Sequence, residues 1–236
     1  MEVYRKISVI IPFYNEEGNL EGVLKEVSDV LSQQNVPYEI IAIDDASIDQ
    51  TPALLKGACE RIPQLRTITH SRNLGQGAAF FTGFDAAEGN VVVTMDGDGQ
   101  NDFRDVPRML ELLSRYDAVF GQRSHRNDPL PKLIASRIAF FFRRIILGDH
   151  VRDTACGLKV MKKETLNNLI PIRGFLRFIP FLLTQAGLAC ATVDVNHRPR
   201  RFGKTKYSLL KGYFLPTILD LIFMWWFKKN RIHRIK

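Results

Sequence analysis

The chain predicts an α/β fold, a mostly parallel sheet with flanking helices, followed by amphipathic, membrane-associated helices at its carboxyl end. In the first half, short apolar runs alternate with helical patterns, as βαβ units require. Several of those runs stop abruptly at acidic residues, and strand carboxyl ends are where open α/β sheets bind ligands. The last segment is strongly apolar and is followed at once by Lys and Arg.

Apolar runs predict strands over residues 7–12, 38–44, 66–69, 91–95 and 118–121. Between the first two, Leu20, Val23, Leu24, Val27, Val30 and Leu31 fall close to i, i+3, i+4, i+7 spacing and mark a helix that covers one face of the sheet. Further helices are expected over 51–61, 75–87 and 106–115. Asp128-Pro129-Leu130-Pro131 punctuates the chain, after which helices are expected over 133–147, 162–169 and 175–186, with a strand over 191–196. A basic stretch, 197–206, and an apolar one, 212–227, complete the pattern. The organisation expected is one domain over 1–207 and a membrane-associating segment over 208–236.

Composition narrows the partners. The 236 residues are 45% hydrophobic and 25% charged, ordinary for a folded protein, and long enough to bury a sizeable core. The net charge of +8 calls for a partner or another reason, and nucleic acid, an anionic membrane and phosphorylated substrates all fit it. Cys59, Cys156 and Cys190 form no CxxC pair, which reads as reduced thiols in a cytosolic setting. The amino terminus runs directly into a strand without the pattern of a signal peptide, and no stretch is clean enough for a transmembrane helix.

The richest segment is Val91-Val92-Val93-Thr94-Met95-Asp96-Gly97-Asp98-Gly99-Gln100, a buried strand that ends in two aspartates. Carboxylates at this spacing point the same way if the chain stays extended, and Gly97 leaves room for a ligand to approach the backbone. A hard divalent cation shared with a diphosphate suits such a place. An EF-hand is excluded, since its glycine position holds Asn101 and its closing glutamate position holds Pro107. A solvated acidic turn is the plain alternative.

Other strand ends carry weaker signals. Pro12-Phe13-Tyr14-Asn15-Glu16 offers an aromatic and a carboxylate for a base or ribose, or simply the acidic first turn of a helix. Asp44-Asp45 stands where nucleotide-binding folds place a ribose or base contact, and Ser47 or Asp49 suits a cap for the following helix. Asn73-Leu74-Gly75-Gln76-Gly77 is a tight turn, lacking both the third glycine of a dinucleotide fingerprint and the Lys-Ser/Thr of a P-loop.

Taken in order, PFYNE, DDASIDQT, GQGAA, DGDGQ and GQR resemble family 2 glycosyltransferases, over about residues 6 to 208. The resemblance is to the branch of dolichol- or polyprenyl-phosphate sugar synthases, and it implies a GT-A-like fold. By that resemblance Pro12, Tyr14 and Glu16 contact the nucleotide, with Asp44 or Asp45 on the base or ribose. Asp96, Asp98 and Gln100 match a metal and diphosphate site for Mg²⁺ or Mn²⁺, and Arg123 matches an arginine near the sugar phosphate. Ser136-Arg137 matches a helix that meets the acceptor phosphate. Arg200, Gly203, Thr205 and Lys206 match an element that closes over the site. Asp153-Thr154-Ala155-Cys156-Gly157-Leu158-Lys159 is close to D-T-x-x-G-F-K, departing at Leu158. Asp153 either lines the sugar pocket or caps the next turn.

The implied activity is inverting transfer of a sugar from a nucleotide-diphosphate sugar to a polyprenyl phosphate. Arg137, Arg200 and Lys206 would hold the acceptor phosphate, Arg123 would steady the donor, and Asp98, Arg123 and Asp153 form the catalytic set. Rival readings are a transferase acting on a hydroxyl, which needs a base and has only Asp153 to offer, and a non-catalytic nucleotide-sugar-binding membrane subunit. Trp225 and Trp226 beside a basic run, with Phe140, Phe141 and Phe142 beside Arg143 and Arg144, suit a peripheral or monotopic seat on the cytoplasmic face of a membrane. A terminal helix packed on its own domain, or a homo-oligomer contact, is the alternative. Nucleic acid is not expected, because the basic residues concentrate beside apolar segments.

Overall fold

Apolar runs and amphipathic stretches fold in strict sequence order in the computed structural model, which describes residues 4–123, 130–172, 174–203 and 214–230. The strands are β1 (Ile7–Phe13), β2 (Tyr38–Asp44), β3 (Leu65–Thr69), β4 (Val91–Thr94), β5 (Ala118–Arg123), β6 (Lys159–Lys162) and β7 (Cys190–Val195). The α-helices are α1 (Leu20–Ser32), α2 (Thr51–Arg61), α3 (Gln76–Ala86), α4 (Val106–Glu111), α5 (Leu130–Leu147), α6 (Ile179–Gln185) and α7 (Phe214–Asn230).

The sheet has the order β3-β2-β1-β4-β6-β5-β7. Its pairings are parallel except that β6 runs antiparallel to both β4 and β5. Successive side chains of β1 serve opposite faces: Val9 and Ile11 pack with α1 residues Val23, Leu24 and Val27, whereas Ile10 packs with Phe80 and Phe84 of α3. Both faces are covered, which is why the strands read as unbroken apolar runs. Helix α3 lies so close to β1 that a Cβ on Gly83 would stand 2.2 Å from Ile10 Cγ2.

Three expected elements differ. The helix expected over 162–169 is instead the end of β6 followed by a 3-10 turn, Lys163–Asn168. The helix over 175–186 is a 3-10 turn, Phe175–Arg177, and then α6, with Pro180 in its first turn; proline starts helices well and continues them badly. The helix over 106–115 tightens to a 3-10 turn after Glu111.

Helices α5 and α7 pack on each other and on the domain. Met224 is fully buried, and Lys228 Nζ donates to the Leu147 carbonyl at 2.9 Å, closing the carboxyl end of α5. The outward faces are different. Ile138, Phe141, Phe142 and Ile145 of α5 and Leu219, Ile222, Phe223, Trp225 and Trp226 of α7 are all exposed, from 39% to 65%. No described helix is long and apolar enough to cross a membrane.

Candidate active site

The carboxyl ends of β1, β2 and β4 converge, and loop-to-loop hydrogen bonds lock them together. Asn15, at φ 51°, donates its N–H to Ser47 Oγ and accepts Ile48 N–H at 2.8 Å, tying the first loop to the second. Asp49, expected to cap α2, precedes the N-cap residue Gln50, and its Oδ1 accepts Thr51 N–H at 2.9 Å in a turn leading into the helix. Pro12 and Tyr14 are half-buried on this rim, and Glu16 is buried.

Asp44 and Asp45 leave the same strand end with different tasks. Asp45 is consumed inside the protein: it contacts His70 Nδ1 at 2.7 Å and accepts Leu74 and Gly75 N–H at 2.9 and 2.8 Å. Asp44 Oδ1 accepts Ser47 N–H, but its Oδ2 is buried with no hydrogen-bond partner. Such an atom suits a ligand's N–H or O–H donor.

The two aspartates after β4 do stand together. Gln76 Nε2 donates to Asp96 Oδ1 at 2.6 Å, and Asp98 Oδ1 accepts Gln100 N–H at 3.0 Å. Burial first, and then the like charge of Asp98, push the Asp96 carboxyl up to about 6. The glycines around them are demanded by packing. A Cβ at Gly157 would lie 2.3 Å from Asp96 Oδ2. At Gly97 it would lie 2.6 Å from the Pro12 carbonyl, so the space expected there for a ligand is filled by the neighbouring strand end.

The expected metal set fits a hard dication in part. Asp96 and Asp98 supply oxygen donors and a mutual repulsion that a cation would relieve. Gln100 Nε2 turns to the basic segment instead, 3.4 Å from His197 Nε2 and donating to the Arg198 carbonyl at 3.2 Å. Among the described residues no group of three or more His, Cys, Asp or Glu is gathered closely enough to hold an ion. A cation here would need further oxygens from its ligand.

Cationic groups ring this acidic centre. Arg123, at the end of β5, grips Asp153 through Nε and Nη2 at 2.6 and 2.8 Å, and its N–H reaches the same carboxylate. Asp153, expected either to line the sugar pocket or to cap a turn, is buried and accepts three N–H groups from Arg123. Arg200 places Nη2 2.5 Å from Asp98 Oδ2 and Nη1 3.5 Å from Glu16 Oε1. The basic segment is anchored at its root: Arg198 pairs with Glu26 and Asp102, and Arg104's bond to Asp102, aided by Asn196 and Arg198, holds that carboxyl well below its usual range against burial. At its tip Phe202 packs against Gly18. Arg137 lies exposed on α5, and Lys206 lies outside the described residues.

Sequence reasoning assigned no role to two contributors that stand inside its motifs. Gln76 sits in the glycine-rich turn that opens α3 and belongs to the GQGAA motif, which places the turn near a ligand and assigns the glutamine no contact of its own. Lys159 is 2% exposed, its amine donates to the Cys156 carbonyl, and burial draws it below the usual lysine range. It is the last residue of the Asp153–Lys159 motif, which gave it no role of its own, and lysines are seldom expected to point inward.

These features define an α/β protein with paired carboxylates at the end of a parallel strand, roofed by a basic segment. The chain belongs to the family described as glycosyl transferase family 2, whose model matches residues 8–170, and it is a glycosyltransferase with a GT-A-like sheet. It is 32% identical over 224 residues to the undecaprenyl-phosphate 4-deoxy-4-formamido-L-arabinose transferase of Serratia proteamaculans, covering 94% of this chain and 68% of that one. The Pectobacterium carotovorum protein of that name is 33% identical over 88% of this chain and 64% of its own. The chain thus spans about two thirds of the length of these relatives. Among solved structures, glucosyl-3-phosphoglycerate synthase from Mycobacterium tuberculosis in complex with Mn²⁺, UDP and glucosyl-3-phosphoglycerate aligns with a TM-score of 0.67 at 22% identity, covering 98% of this chain and 81% of that one. A mannosyltransferase from Pyrobaculum calidifontis with GDP-Man and Mn²⁺ aligns at 0.60 and 19%, covering 99% and 66%.

Proposed function

We propose that the protein transfers a sugar, with inversion, from a nucleotide-diphosphate sugar to a polyprenyl phosphate at the cytoplasmic face of a membrane. The observation that carries this reading is an acidic centre bounded by cations, with Arg200 paired to Asp98 and the Arg123 and Lys159 charges close enough to act on Asp96. Two anionic substrates need both signs of charge side by side. The relatives named for undecaprenyl-phosphate substrates, and the solved neighbours bound to Mn²⁺ and nucleotides, support the same choice.

In this reading Tyr14 and Glu16 line the nucleotide seat, with Pro12 at its rim, and the lone Oδ2 of Asp44 receives a donor from the base or ribose. Mg²⁺ or Mn²⁺ on Asp96 and Asp98, with Gln100 near by, would neutralise charge on the departing diphosphate. Arg123, fixed in plane by Asp153, steadies the donor phosphates. Arg137, Arg200 and Lys206 receive the acceptor phosphate, which is already anionic and needs no strong base. That suits Asp153, whose oxygens are engaged. Residues 1–207 form the catalytic domain. The exposed apolar faces of α5 and α7, flanked by Arg144 and Lys229, rest on the anionic leaflet, with 208–236 as the associating segment.

Purified protein given a panel of UDP- and GDP-sugars, Mg²⁺ or Mn²⁺, and a polyprenyl phosphate tests the reading. Glycosyl transfer to the lipid phosphate is expected, with none to hydroxyl acceptors. Transfer to hydroxyls alone overturns it.

A further inference from the structure

Arg143 lies on α5 with its guanidinium turned inward, while its neighbours Phe141, Phe142, Arg144 and Ile145 are exposed. Its Nε donates to Asp149 Oδ2 at 2.7 Å, its Nη1 to Thr154 Oγ1 at 2.7 Å, and its Nη2 to the Val151 carbonyl. Asp149 is buried and also accepts Val151 N–H at 2.9 Å, so the anchor and its seat are rigid together. The residue next to Thr154 is Asp153, which grips Arg123. Three residues beyond Thr154, Gly157 packs against the Asp96 carboxylate and its carbonyl accepts from Thr94 Oγ1 at 2.7 Å.

One short segment, 149–157, therefore carries two guanidinium grips on adjacent residues: Arg143 from the outer helix and Arg123 from the sheet. A buried ion pair contributes little net stability compared with an apolar replacement. What a planar guanidinium with several donors does supply is fixed direction, which a lysine ammonium does not.

We infer that Arg143 is a positioning residue that ties α5 to the Arg123–Asp153 pair, so that the acceptor on α5 and the sugar-phosphate grip are set in one frame. The inference rests on the proposed acceptor role of α5, whose Ser136 lies two turns before Arg143 on the same face. Arg143 touches neither substrate; it acts through Asp149, Thr154 and the segment between them.

R143K and T154V are compared with wild type for transfer to polyprenyl phosphate, for hydrolysis of the nucleotide sugar to free sugar by water, and for nucleotide affinity. R143K keeps the charge and loses the planar grip; T154V removes one acceptor and leaves the ion pair, so it carries the test if R143K fails to fold. The expected result is transfer slowed by up to roughly 10²-fold in R143K and by less in T154V, with nucleotide affinity and donor hydrolysis unchanged. Equal loss of transfer and hydrolysis, or unaltered transfer in both variants, overturns the inference. Failure of the acceptor reading looks different: wild-type protein then hydrolyses donor and glycosylates no polyprenyl phosphate.

Discussion

Asp44 and Asp45 were inseparable in the sequence, because both leave one strand end and either suits a ribose or base. Their neighbours separate them. Asp45 satisfies His70, Leu74 and Gly75, so Asp45→Asn should destabilise the protein by about 1–3 kcal/mol, read as a lower midpoint in urea. Asp44→Asn should leave stability nearly intact and weaken nucleotide binding about tenfold or more by calorimetry, since the amide presents a donor where the ligand donates. Asp96 makes a pH prediction. Its folded value, about 6, exceeds the unfolded value of 3.8, so the folded state holds a proton that the unfolded state releases between them. Without added cation, the melting temperature should fall as pH rises from about 4 to 6. A divalent cation must displace that proton, so Mn²⁺ should stabilise the protein increasingly as pH passes 6. Thermal melts across that range with and without Mn²⁺ check both signs.

Elements were legible where their periodicity was long. The buried face of α1 and the apolar runs of β1 and β2 follow the sequence pattern almost residue for residue. β6 was not legible: a four-residue strand bounded by lysines has neither alternation nor length, and its place is set by β4 and β5, partners 65–71 and 39–43 residues earlier in the chain. The apolar character of α7 was visible in sequence. What the structure adds is its division into an inward Met224 side and an outward tryptophan side, matched by the exposed face of α5. Phe142→Ser combined with Trp226→Ser should reduce binding to anionic liposomes at least tenfold in a flotation assay while leaving the melting temperature within a few degrees, because both side chains are at least half exposed. Undiminished liposome binding would remove these helices from the membrane reading. Gly83→Ala, by contrast, forces α3 off β1 and should cost about 1–3 kcal/mol.

At the scale of the molecule, the fold class and the acidic strand end were readable because both are local patterns, whereas the pairings Arg200–Asp98 and Arg123–Asp153 join residues far apart in the chain. Position in sequence says nothing about which arginine meets which aspartate. β6 carries a consequence for how the protein is made. Strand β5 reaches β4 only through β6, so a nascent chain that has emerged as far as Arg123 holds β1 to β4 as one sheet fragment and β5 as an unjoined strand. Asp96 lies on one side of that gap, Arg123 on the other, and Gly157 enters with the wedge itself. Docking of β6 buries two open strand edges, and transferase competence must arise later still, since Arg200 follows β6 and β7 in the chain. Until that step the half-made protein is exposed to edge-to-edge association, and the remaining open edge of β5 is covered only when β7 pairs with it, so chaperone demand should persist until residue 195 has docked.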